Sequence, residues 1–383
     1  KLLPRTLRDK LEVQLKRREV PEFLDVPVET VQFPELVNQA ARRFGMGDVT
    51  GHRIWEWAET SFDHKVAQRW AGKAPCLYGC EHASVETFQK QKKFGGLNIL
   101  WQVIAHHQTM TRLLAEEHES FPQSLTAYER ELTTSMPRIN ARKDQQYDDA
   151  DLIVTNSEFS RQSFLAAGFP VTKIKAVPTG CPPVLQGAVE ERAAGPMIFL
   201  SAGSQSFRKG TPYLLDAWRQ LRRVADAELW LVGQMQLPSQ LLETLPTNVS
   251  VRPPVAKAQL ELLLRRAAVL VLPTLGEGLA HIVLEALAAG LAVITTENSG
   301  CGQLVEDGVN GWKIPIRDAA ALAERIEWCL ENPDAVREMQ RESQLKAANW
   351  QEEDFVTTHA SLIQDFLVEK GIALQELEAV AAN

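Results

Sequence analysis

Residues 269–300 read VLVLPTLGEGLAHIVLEALAAGLAVITTENSG, and the fold is read outward from them. Val269 to Leu272 is a short, unbroken apolar run, the pattern of a parallel strand buried on both faces. Pro273 ends it, and Gly276-Glu277-Gly278 turns the chain where side chains would obstruct. The spacing of Ile282, Leu284, Ala286, Leu287 and Ala289 predicts a helix, with Gly290 as its stop signal. Leu291 to Thr296 is the next buried strand. The result is a βαβ unit with a glycine loop at the carboxyl end of its first strand. Open α/β sheets bind ligands at that place.

Two acids give the unit its chemistry. Glu277 lies in the loop, and Glu285 lies about one turn inside the helix. Loop amides and the helix dipole favour an anion. Each carboxylate has two acceptor oxygens and can take a vicinal diol from a sugar. A nucleotide diphosphate carrying a sugar meets both conditions.

This stretch resembles the E-x7-E segment of retaining glycosyltransferases of family 4. That family has the GT-B fold, an α/β architecture of two Rossmann-like domains facing across a cleft, with a C-terminal helix crossing back to the first domain. The resemblance implies that Glu277 contacts the donor sugar and Glu285 the donor ribose, with Gly278, Leu279, Ala280 and His281 lining the donor. One departure is visible: Leu279 and Ala280 stand where the family usually has an aromatic residue and glycine.

A chain of 383 residues is long enough for two domains with substantial cores. A net charge of -8 argues against a general nucleic-acid binder, which would be basic. No apolar run approaches the length of a membrane span, and Lys1-Leu2-Leu3-Pro4-Arg5 is no secretory signal. Cysteines at 76, 80, 181, 301 and 329 form neither a disulfide framework nor a zinc pattern. A reducing cytoplasm is the expected setting.

Leu3, Leu7, Leu11 and Leu15 form a helical stripe flanked by Arg5, Arg8, Lys10, Lys16, Arg17 and Arg18. It reads as a surface helix packed on its own domain. The alternative is a peripheral contact with an anionic membrane, at its inner face, where a lipid-linked acceptor would lie. Asp25 to Phe33 is expected as a strand, and residues 35–44 and 53–71 as helices. No strand with a glycine-rich loop opens the chain, so the first strand and loop of the family's N-terminal domain are expected to be missing.

Asn98 to Ile104 reads as a buried strand that ends at Ala105-His106-His107. By resemblance to the family, one of His106 and His107 faces the donor sugar, and the sequence does not choose between them. The plain alternative is that one of them caps the next helix. His82 is a weaker candidate. Metal ligation by His106, His107, His118, Glu116 and Glu117 lacks the H-E-x-x-H spacing, so no metal site is expected. A charged helical stretch from Thr109 to Glu131 breaks at Phe121-Pro122, and a polar helix is expected from Arg138 to Asp149. D-L-I-V-T-N-S-E-F-S at 151–160 and P-T-G at 178–180 resemble the last βαβ of the family's first domain. Cys181-Pro182-Pro183 to Gly195 reads as the interdomain linker and hinge.

The strand Met197 to Ser201 opens the second domain. It leads into Gly203-Ser204-Gln205-Ser206-Phe207-Arg208-Lys209-Gly210. This is not a Walker A loop, because Arg208 precedes the lysine and Gly210 follows it. The R-K-G segment resembles the family's basic loop, which implies that Lys209 binds the donor diphosphate with Gly203 and Ser204 beside it. The family's partner arginine is replaced by Ser204, and Arg208 is the candidate substitute. Val249-Ser250-Val251-Arg252-Pro253-Pro254 resembles the edge where family members hold the donor base, which implies a place for Arg252 there by position alone. Trp350 and the helix Glu353 to Leu367 resemble the segment that crosses back.

The expected domains are residues 1–185 on the acceptor side, 186–352 for the donor nucleotide, and 353–383 as crossing helix and tail. The expected activity is a retaining, metal-independent transfer from a nucleotide-diphosphate sugar to a hydroxyl of a glycan, lipid-linked or small-molecule acceptor. It needs no cofactor and no nucleic acid. Catalytic candidates are Glu277, His107, His106 and Lys209. The rivals are a nucleotide-sugar epimerase or phosphorylase on the same fold, and a non-catalytic nucleotide-sugar-binding protein.

Overall fold

The computed structural model describes residues 31–43, 48–122, 127–187, 195–243 and 245–372. The basic stripe at the start of the chain and the tail after Ile372 lie outside these residues. Residues 1–65 form one compact unit and 66–383 another. In the first unit, Phe33 is not the end of a strand but part of helix α1 (Gln32–Arg43). Phe33, Leu36, Val37, Ala40 and Ala41 repeat at helical spacing, and that pattern overrides the short alternation before it. Gln32 is helical as well, and residues 25–30 of the expected strand are outside the described residues. Helix α2 (Asp48–Trp70) follows.

The second unit holds two parallel sheets. The first has the order β1-β2-β3-β4: β1 (Cys76–Cys80), β2 (Leu97–Gln102), β3 (Leu152–Thr155) and β4 (Ile174–Ala176). Between these strands run α3 (Val85–Lys93), α4 (His107–Ser120), α5 (Ala127–Asp149) and α6 (Glu158–Ala166). The helix expected from Arg138 is the second half of α5, which carries Pro137 within it. Ser157 caps α6 as its sequence predicts, accepting the Ser160 amide at 3.1 Å.

The second sheet has the order β10-β9-β8-β5-β6-β7. Its strands are β5 (Met197–Ala202), β6 (Ala227–Val232), β7 (Val249–Arg252), β8 (Val269–Leu272), β9 (Ala292–Thr296) and β10 (Gly311–Ile314). Helices α7 (Thr211–Arg219), α8 (Lys257–Arg266), α9 (His281–Ala288), α10 (Ala319–Glu331) and α11 (Pro333–Ala348) cover it. Strand β8 is buried on both faces, as its apolar run predicts. Val269 and Val271 face one core with Trp218, and Leu270 and Leu272 face another with Val283 and Leu287.

Helix α12 (Glu352–Glu369) returns to the first sheet. Phe355, Leu362, Ile363, Phe366 and Leu367 pack on Ile99, Leu152 and Val154. Two chain crossings therefore join the sheets, and they run side by side. The Cys181 amide donates to Trp350 O at 2.8 Å, and Trp350 Nε1 donates to Thr179 O at 3.2 Å. The expected hinge spans 182–195, and the structure describes only its two ends. Residues 182–187 are docked on the second sheet's layer: the Leu185 amide donates to Ala288 O at 2.9 Å, and Leu185 O accepts from Gln344 at 3.1 Å. Proline and small residues here mark a tight path rather than freedom. Residues 188–194 lie outside the described set.

Candidate functional site

The site follows from the strand order. From β5 the chain proceeds outward through β6 to β7, then returns to lay β8 on the other side of β5 and continues outward to β10. The switch point of the sheet is between β5 and β8, and a ligand crevice opens beyond the carboxyl ends there. The loops that leave those two ends are 203–210 and 273–280, the two stretches that carry the candidate charges. They are bonded together: Arg208 O accepts the Leu275 amide at 2.8 Å and the Thr274 hydroxyl at 3.0 Å. Gly210 permits that approach, since a Cβ there would lie 1.9 Å from Pro273 O.

This contact brings three charges together. Lys209 Nζ lies 2.6 Å from Glu277 Oε1, and Arg208 Nη1 bonds the same oxygen. Arg208 Nη1 also donates to Gly276 O at 3.0 Å. The Lys209 and Glu277 side chains are each 14% exposed and Arg208 is 33% exposed, so the cluster faces water while much of it is sheltered. Two cations converging on one carboxylate form a group from which a more highly charged anion can draw them. Gly203, at the start of the loop, is tied to β6 by its amide to Val232 O at 2.9 Å, and Ser204 beside it is half-buried.

The glycine loop is held from both sides. The Glu277 amide donates to Asn298 O at 2.8 Å and the Ala280 amide to Ser299 O at 2.9 Å. Of the amides expected to face a diphosphate, that of Ala280 is thus already committed. The side chains of Leu279 and Ala280 belong to the core, while His281 is exposed at the first position of α9. Gly278 has no room for a side chain: a Cβ would lie 1.7 Å from Val103 O, at the end of β2. Glu285 is half-buried on α9. Burial raises its carboxyl above the usual range, and Lys257 and His281 partly offset this. Arg252 lies over the Trp230 ring at 4.0 Å, with Arg266 at 4.9 Å from the same ring, so its guanidinium has a packing role beside any contact with a donor base.

The two histidines divide. His106 is the N-cap of α4, its Nδ1 accepting the Gln108 amide at 3.3 Å. Its ring is buried against Tyr147, Phe164 and Phe169. Burial, with His107 next to it, lowers its pKa to about 4, so the ring is neutral at pH 7. His107 Nε2 pairs with Asp144 at 2.6 Å, and its ring stacks on His106. The capping alternative therefore describes His106, and His107 is the one of the pair with a charged partner. His106, His107 and Asp144 have ligand atoms within 4.8 Å of one another, a set that could hold a metal ion. Here His106 is engaged as the helix cap and His107 with Asp144. His82 has positive φ at 69° and lies 3.6 Å from Glu81, whose carboxylate also takes Lys143, Gln102 and Tyr147.

Several participants gave no sequence signal. Asn298 holds the loop from below, with Nδ2 to Leu275 O at 2.8 Å. Met110 and Leu113 of α4 abut Gly276. Glu117, Tyr213 and Arg317 meet across the two domains.

An open parallel sheet with cations at its switch point, a second Rossmann-like sheet facing it and a last helix crossing back define the GT-B class. Residues 196–332 match the family described as Glycosyl transferases group 1, the family that the motifs of this stretch resemble. The chain is 28% identical over 193 residues to the amylovoran biosynthesis glycosyltransferase AmsK of Erwinia amylovora, covering 45% of this chain and 46% of that one. It is 26% identical over 195 residues to the putative colanic acid biosynthesis glycosyltransferase WcaL of Salmonella typhimurium, covering 48% of each. The chain thus spans about half the length of these curated relatives. Among solved structures it superposes on sucrose-phosphate synthase from Thermosynechococcus elongatus with a TM-score of 0.63, 17% identity and coverage of 84% and 79%. Anabaena HepE in complex with UDP gives 0.59, with 18% identity and coverage of 79% and 81%. At these identities the likeness establishes the fold. No helix among the described residues is long and apolar enough to cross a membrane.

Proposed function

We propose that the chain transfers a sugar from a nucleotide-diphosphate sugar to an acceptor hydroxyl, with retention at the anomeric carbon and without a metal. The observation that carries this reading is the convergence of Lys209 and Arg208 on Glu277 at the switch point. Diphosphate charge grows as the glycosidic bond to phosphate breaks, and fixed cations stabilise that growth. The bond electrons go to the departing phosphate oxygen. The acceptor oxygen bonds to the anomeric carbon on the same face, and its proton passes to the departing phosphate. Glu277 orients the sugar and Glu285 the ribose. His107, the first residue of α4, lines the opposite wall and the first domain supplies the acceptor side. HepE, whose structures include complexes with UDP and with UDP-glucose, supports a nucleotide-sugar donor. The relatives named for amylovoran and colanic acid biosynthesis support a glycan acceptor. A lipid-linked acceptor at a membrane's inner face is the further part of the proposal.

A thermal-shift panel of UDP-, GDP-, ADP- and dTDP-glucose tests the donor, because a ligand that binds only the native state raises stability. One member should raise the melting temperature of the wild type. Lys209→Ala should weaken that ligand by about 10- to 100-fold, the loss of a charge-assisted contact worth about 1.5–3 kcal/mol. Equal shifts in wild type and variant would place the diphosphate elsewhere.

A further inference from the structure

Helix α4 begins at the histidine pair and ends against the second domain. Near its end the Glu117 side chain is fully buried, and its partners come from the other sheet's layer. The Tyr213 hydroxyl lies 3.0 Å from both carboxylate oxygens, and Arg317 Nε donates at 2.9 Å. Arg317 directs its other nitrogens to the same helix: Nη1 to Glu116 at 3.0 Å and Nη2 to Leu113 O at 2.7 Å. Phe121 closes the contact against Phe207 and Tyr213, at 5.2 and 6.2 Å between ring centroids. Burying a lone carboxylate is costly, so the group is stable only when both domains contribute. Arg317 holds a left-handed backbone at φ 63°, a conformation that persists in a non-glycine residue when its surroundings over-determine it.

The same helix reaches both donor loops. A Cβ on Gly276 would lie 3.0 Å from Met110 Sδ and 3.5 Å from Leu113 Cδ1, so α4 lies directly against the loop that carries Glu277. Phe207, the partner of Phe121, immediately precedes Arg208 and Lys209 in the chain.

We propose that Glu117 and Arg317 are positioning residues: with Tyr213 they clasp α4 to the second domain, and the clasped helix fixes the loops bearing Glu277, Arg208 and Lys209 in their reacting arrangement. The catalytic part of this inference rests on the donor reading above. The clasp touches no reacting atom, so its loss should lower turnover far more than donor affinity.

The test uses Arg317→Asn, because asparagine accepts the left-handed backbone yet is too short to reach α4. Hydrogen exchange on the unliganded chain should be about ten-fold faster or more over 107–120 and 274–280, with the strands of both sheets unchanged. With the nucleotide sugar selected by the panel, turnover should fall about 10- to 100-fold, as expected for a reacting arrangement displaced by about 1 Å, and the dissociation constant should change less than about threefold. Arg317→Lys should recover only part, since one ammonium does not reproduce the guanidinium fork. Tyr213→Phe, which removes only a hydroxyl, should give a smaller version of the same split and serves if Arg317→Asn does not fold. Unchanged exchange and turnover overturn the clasp. So does faster exchange throughout the chain with affinity and turnover lost together, which is a purely structural role. A wild type that takes no nucleotide sugar defeats the donor reading alone, and the exchange measurement still decides the clasp.

Discussion

Glu277→Gln separates two effects that move in opposite directions. In the unliganded protein the Glu277 carboxylate occupies both cations: Lys209 at 2.6 Å and Arg208 on the same oxygen. Unit charges about 4 Å apart interact by about 1 kcal/mol in water and about 4 kcal/mol at the effective dielectric of a protein surface. Exposures of 14–33% place this group between those limits and require a discount for screening. A diphosphate that draws on the cations gives up part of that attraction. Glutamine keeps the size and one acceptor oxygen but removes the charge that competes. UDP should therefore bind more tightly by about 1–2 kcal/mol, which is about 5- to 30-fold. The unliganded variant should melt lower, since two like charges have lost their partner, and UDP should restore more of the loss than it adds to wild type. Turnover should fall by about 100-fold or more, because the group proposed to orient the sugar has lost its charge. Titration calorimetry with UDP on both proteins, alongside turnover of the nucleotide sugar, measures all of this. UDP binding that is unchanged or weaker in Glu277→Gln would refute the argument that the carboxylate and the diphosphate share the two cations.

Three further outcomes are expected. Burial already disfavours the Glu285 carboxylate, so Glu285→Gln should hold or slightly raise the melting temperature while the donor KM rises; an unchanged KM would remove Glu285 from the site. Turnover should survive EDTA if Lys209 and Arg208 balance the leaving diphosphate as proposed, and loss on chelation that Mg2+ or Mn2+ restores would reassign that role to a metal. His106 has its pKa depressed from 6.5 to about 4 by burial, so the stability tied to its neutral ring is complete above 6.5 and is lost as pH falls through about 4. His106→Asn keeps a capping acceptor and removes the titration, so the decline of its melting temperature between pH 6.5 and 4 should be shallower than that of wild type; parallel curves would count against the assignment.

The sequence by itself determined the β8-α9-β9 unit, the α/β class and the two-sheet organisation. It also picked out Arg208, Lys209 and Glu277 as candidates. These are local matters: buried parallel strands read as short apolar runs, helices as spaced ones, and glycine marks the turns between them. Only the tertiary structure decided which charges meet. Lys209 and Glu277 are brought together because β8 lies beside β5, and no period in the sequence encodes strand order. The clasp joins residues 200 positions apart, and neither Glu117 nor Arg317 stands in a pattern that sets it off from a surface charge. The histidine pair was legible as a pair, but its division was not, since capping depends on where α4 starts and the contact with Asp144 on how α5 lies across it. The docking of the first part of the expected linker was not legible for a related reason. Composition reports what a segment lacks, whereas the docking of 182–187 depends on the Ala288 carbonyl of α9 and the Gln344 side-chain amide of α11 that it meets in space.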